Sequence, residues 1–280
     1  MQQLRGRVAV VTGAASGIGF GLAERFAAEG MRVVLADVER DALDQAAERL
    51  RATGAEVEAV VCDVAQAAAV ADLARRTVDA FGAVHVVCNN AGVADTSGAA
   101  VWEASLADWQ WVVGVNLWGV IHGVRTFVPI LLEQGDEGHV VNTASVAGLT
   151  VGRLGSYSVT KHAVVALSEA LAGELAAIGA RVGVSVLCPG LVRTRILEAG
   201  RNRPPTAEPR QPAAPNPVPG QALDSLRQRM PEGTPPAEIA ASVVEAIQTN
   251  RLYVLPHPAA LTQVRQRFES IAHSIPQPTS

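Results

Sequence analysis

An α/β fold, one domain wound on a parallel sheet, is what this sequence predicts, and three observations carry the prediction. Short β-branched apolar runs alternate with longer helical patterns. The first run opens into a glycine-rich turn, Thr12-Gly13-Ala14-Ala15-Ser16-Gly17-Ile18-Gly19. A carboxylate, Asp37, closes the second run at the distance where such folds place a ribose-binding acid. Continuous apolar strands are those buried on both faces, and strand–helix–strand units wind parallel sheets through right-handed crossovers.

Residues 8–11 read as a buried strand, and 17–29 as a helix stopped by Gly30. Residues 32–36 form a second strand, and 40–53 a second helix ended near Gly54. Strand 57–62, helix 66–81 and strand 84–88 continue the alternation. Residues 106–132 carry one long helix with Pro129 in its last turns. A fifth strand (138–143), a helix (157–178) and a sixth strand (181–187) follow. The last 50 residues (231–280) complete the domain with a helix at 236–249, a short strand at 253–255 and an amphipathic helix. The stretch 204–219 breaks the pattern, with seven of the chain's sixteen prolines. It is expected to be neither helix nor central strand. Within 195–230 it reads as a mobile excursion of a single domain spanning 1–280, close to the active site. No fixed-period repeat is present.

The composition, 49% hydrophobic and 18% charged over 280 residues, is that of a soluble globular chain. A net charge of -4 without a basic stripe argues against nucleic acid as the partner. Cys62, Cys88 and Cys188 each end an apolar run, as buried reduced thiols do, which points to a reducing cytoplasm. The N-terminal apolar run is too short for a signal peptide. With no run of about 18 uninterrupted apolar residues, no membrane span is expected. The six histidines show no ligand spacing, so no metal is expected.

Gly13, Gly17 and Gly19 let the backbone turn tightly after a strand and approach a pyrophosphate, which the N–H groups of the following helix attract. Ser16 and Ile18 lie on the same turn. An ordinary strand–helix turn has similar residues; placement after the first strand of a βαβ series selects the phosphate reading. The Asp37 carboxylate can accept from both ribose hydroxyls and repels a 2′-phosphate, favouring NAD over NADP. No basic residue occupies Ser16 or Val38; Arg40 is the rival signal, and a helix cap is the alternative role for Asp37. Asp63 and the Val64 backbone follow a strand where they can hold an adenine. The turn Asn89-Asn90-Ala91-Gly92 leaves room for ribose and pyrophosphate, though plain turn chemistry would use the same residues.

Tyr157 and Lys161, at i and i+4, share a helix face roughly 6 Å apart. A phenol with an ordinary pKa near 10 is a poor base; a nearby ammonium is expected to lower it. Tyr157 could then take a proton from an alcohol as hydride leaves, or return one in reduction. Lys161 could also hold ribose hydroxyls, Ser145 could steady the substrate oxygen, and Asn116 could join a proton path to Lys161. Singly, each has a bland reading as a chance pair, a cap or a packing residue. Their joint order with the phosphate turn does not.

These residues resemble the short-chain dehydrogenase/reductase family in its single-domain form. The matches are residues 12–19, Asn89-Asn90-Ala91-Gly92, Asn116, Ser145, Tyr157-Ser158-Val159-Thr160-Lys161 and Pro189-Gly190, spread over about two thirds of the chain. The resemblance implies a doubly wound Rossmann-type sheet of about seven strands with helices on both faces. It implies Tyr157 as acid/base, Lys161 and Asn116 in the proton relay, and Ser145 on the substrate. NAD contacts are implied for Gly13, Ser16, Ile18, Asp37, Asp63, Val64, Asn90, Tyr157 and Lys161. They extend over the loop Pro189-Gly190 to Thr194, Val192 included, and over the glycine turns carrying Gly17, Gly19, Ala91 and Gly92. It further implies a homo-oligomer, tetramer or dimer, paired through the helices at 106–132 and 157–178.

Thr96, Trp102, Val146, Leu149 and Val151 are expected around the substrate, a small-molecule alcohol or ketone; their apolar character suggests an apolar secondary one, with ordinary packing as the alternative. The leading reading is an NAD-dependent oxidoreductase on an alcohol/ketone pair. A 3-oxoacyl-thioester reductase would pair with NADPH, which Asp37 disfavours, and with basic residues for a carrier protein, which are not evident. A non-catalytic dinucleotide-binding protein would not need Tyr157 and Lys161.

Overall fold

The structure is a computed structural model that describes residues 1–150, 154–205 and 217–274. Seven parallel strands form one sheet in the order β3-β2-β1-β4-β5-β6-β7. They are β1 (Val8–Thr12), β2 (Arg32–Asp37), β3 (Val57–Val61), β4 (Val86–Asn89), β5 (Gly138–Thr143), β6 (Val182–Leu187) and β7 (Tyr253–Val254). The chain starts at β1, winds outward to β3, then returns across β1 to β4 and winds the other way. The crevice between β1 and β4 is therefore the topological switch point, where folds of this class bind ligands beyond the carboxyl ends of the strands.

Period-two alternation feeds two cores from one strand. Ala9 and Val11 face one side with Val33 and Leu35; Val8 and Val10 face the other with Val34 and Ala36. On the first side lie α1 (Gly17–Ala28), α2 (Arg40–Arg51) and α8 (Pro236–Thr249), through Leu22, Phe26, Leu43 and Ile247. On the second lie α3 (Ala67–Phe81), α5 (Gly119–Gln134) and α6 (Gly155–Ala177), through Leu73, Phe127, Leu131 and Leu171. The expected doubly wound architecture is the one observed.

Two expectations need correction. The helix expected at 106–132 is α4 (Leu106–Val113), a π-helical turn (Gly114–Trp118) and then α5. Ser105 caps its start by accepting from the Asp108 N–H at 3.0 Å. The run Leu106–Gln134 is long and apolar enough to cross a membrane by length and composition. Here it lies along the sheet with Val120, Phe127 and Leu131 buried. The proline-rich stretch falls mostly outside the described residues, but its end does not avoid helix: Pro217–Arg229 forms α7. Proline is tolerated at a helix start because its missing N–H has no partner there. The last helix, α9 (Leu261–His273), buries none of its residues.

Candidate active site

The glycine turn leaves β1 and enters α1 with backbone conformations reserved for glycine: φ is 65° at Gly13 and 56° at Gly17. A Cβ on Gly13 would stand 2.8 Å from the Ala91 Cα, and one on Gly19 only 2.1 Å from the Gly13 carbonyl oxygen. Ser16 heads α1 without capping it by its side chain, and no acid occupies the first turn. The N–H groups and the Ser16 hydroxyl thus face a site with no competing carboxylate of that turn, which suits a pyrophosphate. A cleft of about 490 Å³ opens beside this turn, between Ser16, Gly17 and Phe20 on one wall and Arg193, Thr194 and Pro236 on the other.

Around the turn the other expected cofactor residues gather at the carboxyl ends of β2, β3, β4 and β6. Asp37 accepts from Ala15 N–H and Glu39 N–H, each at 3.0 Å. Burial nevertheless raises its carboxyl pKa above the ordinary value. Asp63, exposed after β3, accepts from Ala65 N–H at 3.0 Å, and Val64 is buried beneath it. Asn90 is tied to β1: its N–H donates to Thr12 Oγ1 and its Nδ2 to the Thr12 carbonyl, each at 2.9 Å. Ala91 N–H also donates to Thr12 Oγ1, so one buried hydroxyl sets the turn that carries Gly92. The loop after β6 is splinted from outside. Gly190 N–H donates to His257 Nδ1 at 3.0 Å, Val192 bridges to Thr234, and Thr194 lies against Gly17.

The four residues expected to carry chemistry converge at the ends of β4, β5 and β6. Lys161 is 2% exposed; its Nζ donates to the Thr143 carbonyl at 2.8 Å and lies 5.5 Å from the Tyr157 ring centre. Asn116 sits within the π-helical turn, fully buried. Its Oδ1 accepts from Val93 N–H at 2.8 Å, and its Nδ2 donates to the Val93 carbonyl and Thr160 Oγ1. Asn116 Oδ1 and Lys161 Nζ each stand 3.5 Å from the Cβ position that Gly92 leaves open. Ser145 Oγ accepts from Ala147 N–H at 3.1 Å and donates to the Pro189 carbonyl at 3.4 Å, joining this group to the loop after β6.

The electrostatics correct one expectation. Tyr157 is not lowered in the free protein: desolvation raises its phenol above the ordinary value, against a hydrogen bond from Ser145 that favours phenolate. Burial brings the Lys161 ammonium down to about 8. The lysine's charge is directed into the Thr143 carbonyl, so a phenolate needs a further positive charge nearby.

The expected substrate lining divides. Trp102 is 81% exposed, whereas Leu149 is buried in the core against Val164. Val151 lies outside the described residues. Thr143 and His257 had no motif to mark them, because each acts through a backbone group distant in sequence. Among the described residues no group of three histidine, cysteine or acidic side chains could hold a metal ion.

A family model described as short chain dehydrogenase matches residues 7–204. The chain is 37% identical over 279 residues to a 1-deoxy-11-beta-hydroxypentalenate dehydrogenase of Streptomyces exfoliatus, covering 99% of this chain and 93% of that protein. It is 32% identical over 277 residues to a C alpha-dehydrogenase of Sphingobium, covering 98% and 88%. Its fold superposes with a TM-score of 0.93 on a short chain dehydrogenase/reductase from Burkholderia phymatum solved in complex with NAD, at 45% identity and full coverage of both chains. With a dinucleotide crevice at the switch point and a phenol, an ammonium and a hydroxyl gathered at its edge, the chain belongs to the short-chain dehydrogenase/reductase family and is an NAD(P)-dependent oxidoreductase acting on CH–OH donors.

Proposed function

We propose that the protein interconverts an apolar secondary alcohol and its ketone with NAD(H), using Tyr157 as the acid/base. The observation that carries this reading is the buried Lys161 ammonium beside the Tyr157 ring, with Ser145 on the phenol. When bound, the dinucleotide supplies the acceptor or donor of the hydride and, oxidised, a positive ring. Tyr157 takes the hydroxyl proton of the alcohol as its carbinol hydrogen departs as hydride; in reduction the phenol returns the proton to the carbonyl oxygen. Ser145 donates to that oxygen as charge builds on it. Lys161 would hold ribose hydroxyls of the bound dinucleotide and, with Asn116, would hand the proton on from Tyr157.

Gly13, Ser16, Gly17, Ile18 and Gly19 would hold the pyrophosphate, and Asp37 the adenosine ribose. Asp63 and Val64 would take the adenine, with Asn90, Ala91, Gly92 and the Pro189, Gly190, Val192 and Thr194 loop along the nicotinamide half. Asp37 supports NAD over NADP because two backbone N–H groups hold its carboxylate on the turn. The name of one relative, a 1-deoxy-11-beta-hydroxypentalenate dehydrogenase, supports a hydroxylated small molecule as substrate. The excursion expected over 195–230 includes residues 206–216, which lie outside the described residues.

The test is a screen of apolar secondary alcohols with NAD and with NADP, following the near-ultraviolet absorbance of reduced nicotinamide. Turnover favouring NAD by about tenfold or more, roughly 1.4 kcal/mol, is expected. Turnover confined to acyl thioesters with NADPH would replace this reading. A homodimer or homotetramer is proposed on the exposed apolar side chains of the expected pairing helices, Trp118, Leu132 and Val159. A monomer on sizing at micromolar concentration would remove it. Three buried free cysteines support a reducing, cytoplasmic setting.

A further inference from the structure

The end of β2 carries a second acidic residue that the dinucleotide turn does not use. Glu39 lies two positions after Asp37, and its N–H donates to the Asp37 carboxylate at 3.0 Å. Its own carboxylate points to the segment after β6. Arg201 Nε donates to Glu39 Oε1 at 3.1 Å and Oε2 at 3.2 Å, and Arg201 Nη2 to Oε1 at 2.6 Å. Asn202 Nδ2 adds a fourth bond at 2.8 Å. The two side chains are 27% and 23% exposed, and Arg201 is the main cause holding the Glu39 carboxyl below its ordinary value.

The segment that brings Arg201 there, a single 3-10 stretch Ile196–Asn202, is itself anchored. Ala199 is 4% exposed among Val93, Trp111 and Val112, and Arg203 pairs with Asp108 at 2.9 Å. A guanidinium is thus delivered to the turn that reads the adenosine ribose from 162 residues away in the chain. Guanidinium is the side chain best shaped for a phosphate, through two parallel N–H donors. Here those donors are occupied by a carboxylate. The neighbouring Arg195 is likewise paired, with Glu198 at 3.0 Å, and Arg40 is exposed at the head of α2.

We propose that Glu39 is a second specificity-determining residue, which excludes a 2′-phosphorylated dinucleotide by keeping Arg201 neutralised beside Asp37. The proposal rests on the dinucleotide reading above. Asp37 repels the extra phosphate directly, while Glu39 acts through Arg201, removing the cation that would compensate it.

Calorimetric titration with adenosine 2′,5′-bisphosphate and with 5′-AMP separates the roles. Glu39→Gln should tighten the bisphosphate about tenfold, the gain of one charge-assisted contact, and leave 5′-AMP within about threefold. Adding Arg201→Ala should remove the gain. A bisphosphate affinity unchanged in Glu39→Gln overturns the proposal, as does a gain that survives Arg201→Ala, since Glu39 would then act by its own charge alone. Arg201→Gln in the otherwise native chain tests the same point without disturbing Glu39. Bisphosphate affinity should be unchanged, and a loss of about tenfold would mean that Arg201 already receives phosphate. Native protein that binds neither NAD nor 5′-AMP would remove the dinucleotide reading together with this proposal. Native 5′-AMP binding without the predicted gain would sink the Glu39 role alone.

Discussion

Lys161 carries its charge where water cannot reach it. Burial lowers its pKa from 10.5 to about 8, which amounts to roughly 3 kcal/mol against the ammonium at neutral pH. Lys161→Met removes that penalty at the expense of the bond to Thr143, worth about 1 kcal/mol. The variant should therefore unfold several degrees higher while losing turnover. Because the folded-state pKa is depressed, the penalty is complete below about pH 8 and fades as pH rises from about 8 to 10.5, where the unfolded lysine too loses its proton. The variant's advantage should shrink over that same window; thermal melts across pH check it, and a constant advantage would mean that packing alone is responsible. Tyr157→Phe should abolish turnover and leave dinucleotide affinity nearly unchanged, read by kinetics beside calorimetry; full activity would refute the acid/base assignment. His257 presents Nδ1 to the Gly190 N–H and Nε2 to Thr234 and the Leu191 carbonyl. His257→Ala should raise the dinucleotide KM severalfold, and His257→Asn, which keeps an acceptor toward Gly190, should recover part of it. The Tyr157–Lys161 pair was legible in the sequence because helical spacing fixes which side chains meet. His257 was not, since nothing local marks an imidazole that accepts from a backbone 67 residues away.

At the scale of elements, strands and helices follow their patterns to within a residue or two, because two-sided burial and glycine stops leave a local trace. The π-helical turn at Gly114–Trp118 leaves none: one extra residue in a turn changes hydrogen-bond partners and no residue type. Yet it places Asn116 against Val93, beside Gly92 and Lys161. The next glycine contact is as exacting. A Cβ on Gly123 would fall 1.9 Å from Asn89 Oδ1, whose amide donates to Asn142 at 2.9 Å. Gly123→Ala must push α5 from the sheet or break that pair, and should cost about 1–3 kcal/mol in urea unfolding. An unchanged midpoint would show that α5 shifts freely. The α7 helix was missed for a related reason: the proline-rich composition says where a chain cannot continue a helix, not where it can begin one.

For the whole molecule, the strand order turns scattered short motifs into one crevice. Turns after β1, β2, β3, β4 and β6 meet only because the chain reverses direction between β3 and β4. The order of the motifs made this fold legible. The substrate side was less so, since its expected lining splits between an exposed Trp102 and a core Leu149. A ligand that bridges these turns stabilises all of them together. NAD at about a hundred times its Kd should add roughly 2.7 kcal/mol, seen as a melting point that climbs with the logarithm of NAD concentration. A flat melting point would mean that no dinucleotide binds the folded state.

The three cysteines turn the core into a gauge of its own opening. Cys62, Cys88 and Cys188 are 3%, 0% and 0% exposed, and burial pushes the thiols of Cys62 and Cys188 up to about 12. A thiol reagent added to the native protein can react only as fast as the surrounding strands part. Cys188 directly follows β6, and both Ser145 and Lys161 act on its thiol, so its labelling clock times the loosening of the catalytic floor. Cys62 times the outer strand β3. Comparing the two rates would reveal whether the sheet comes apart from its edge or all at once, without a single engineered probe.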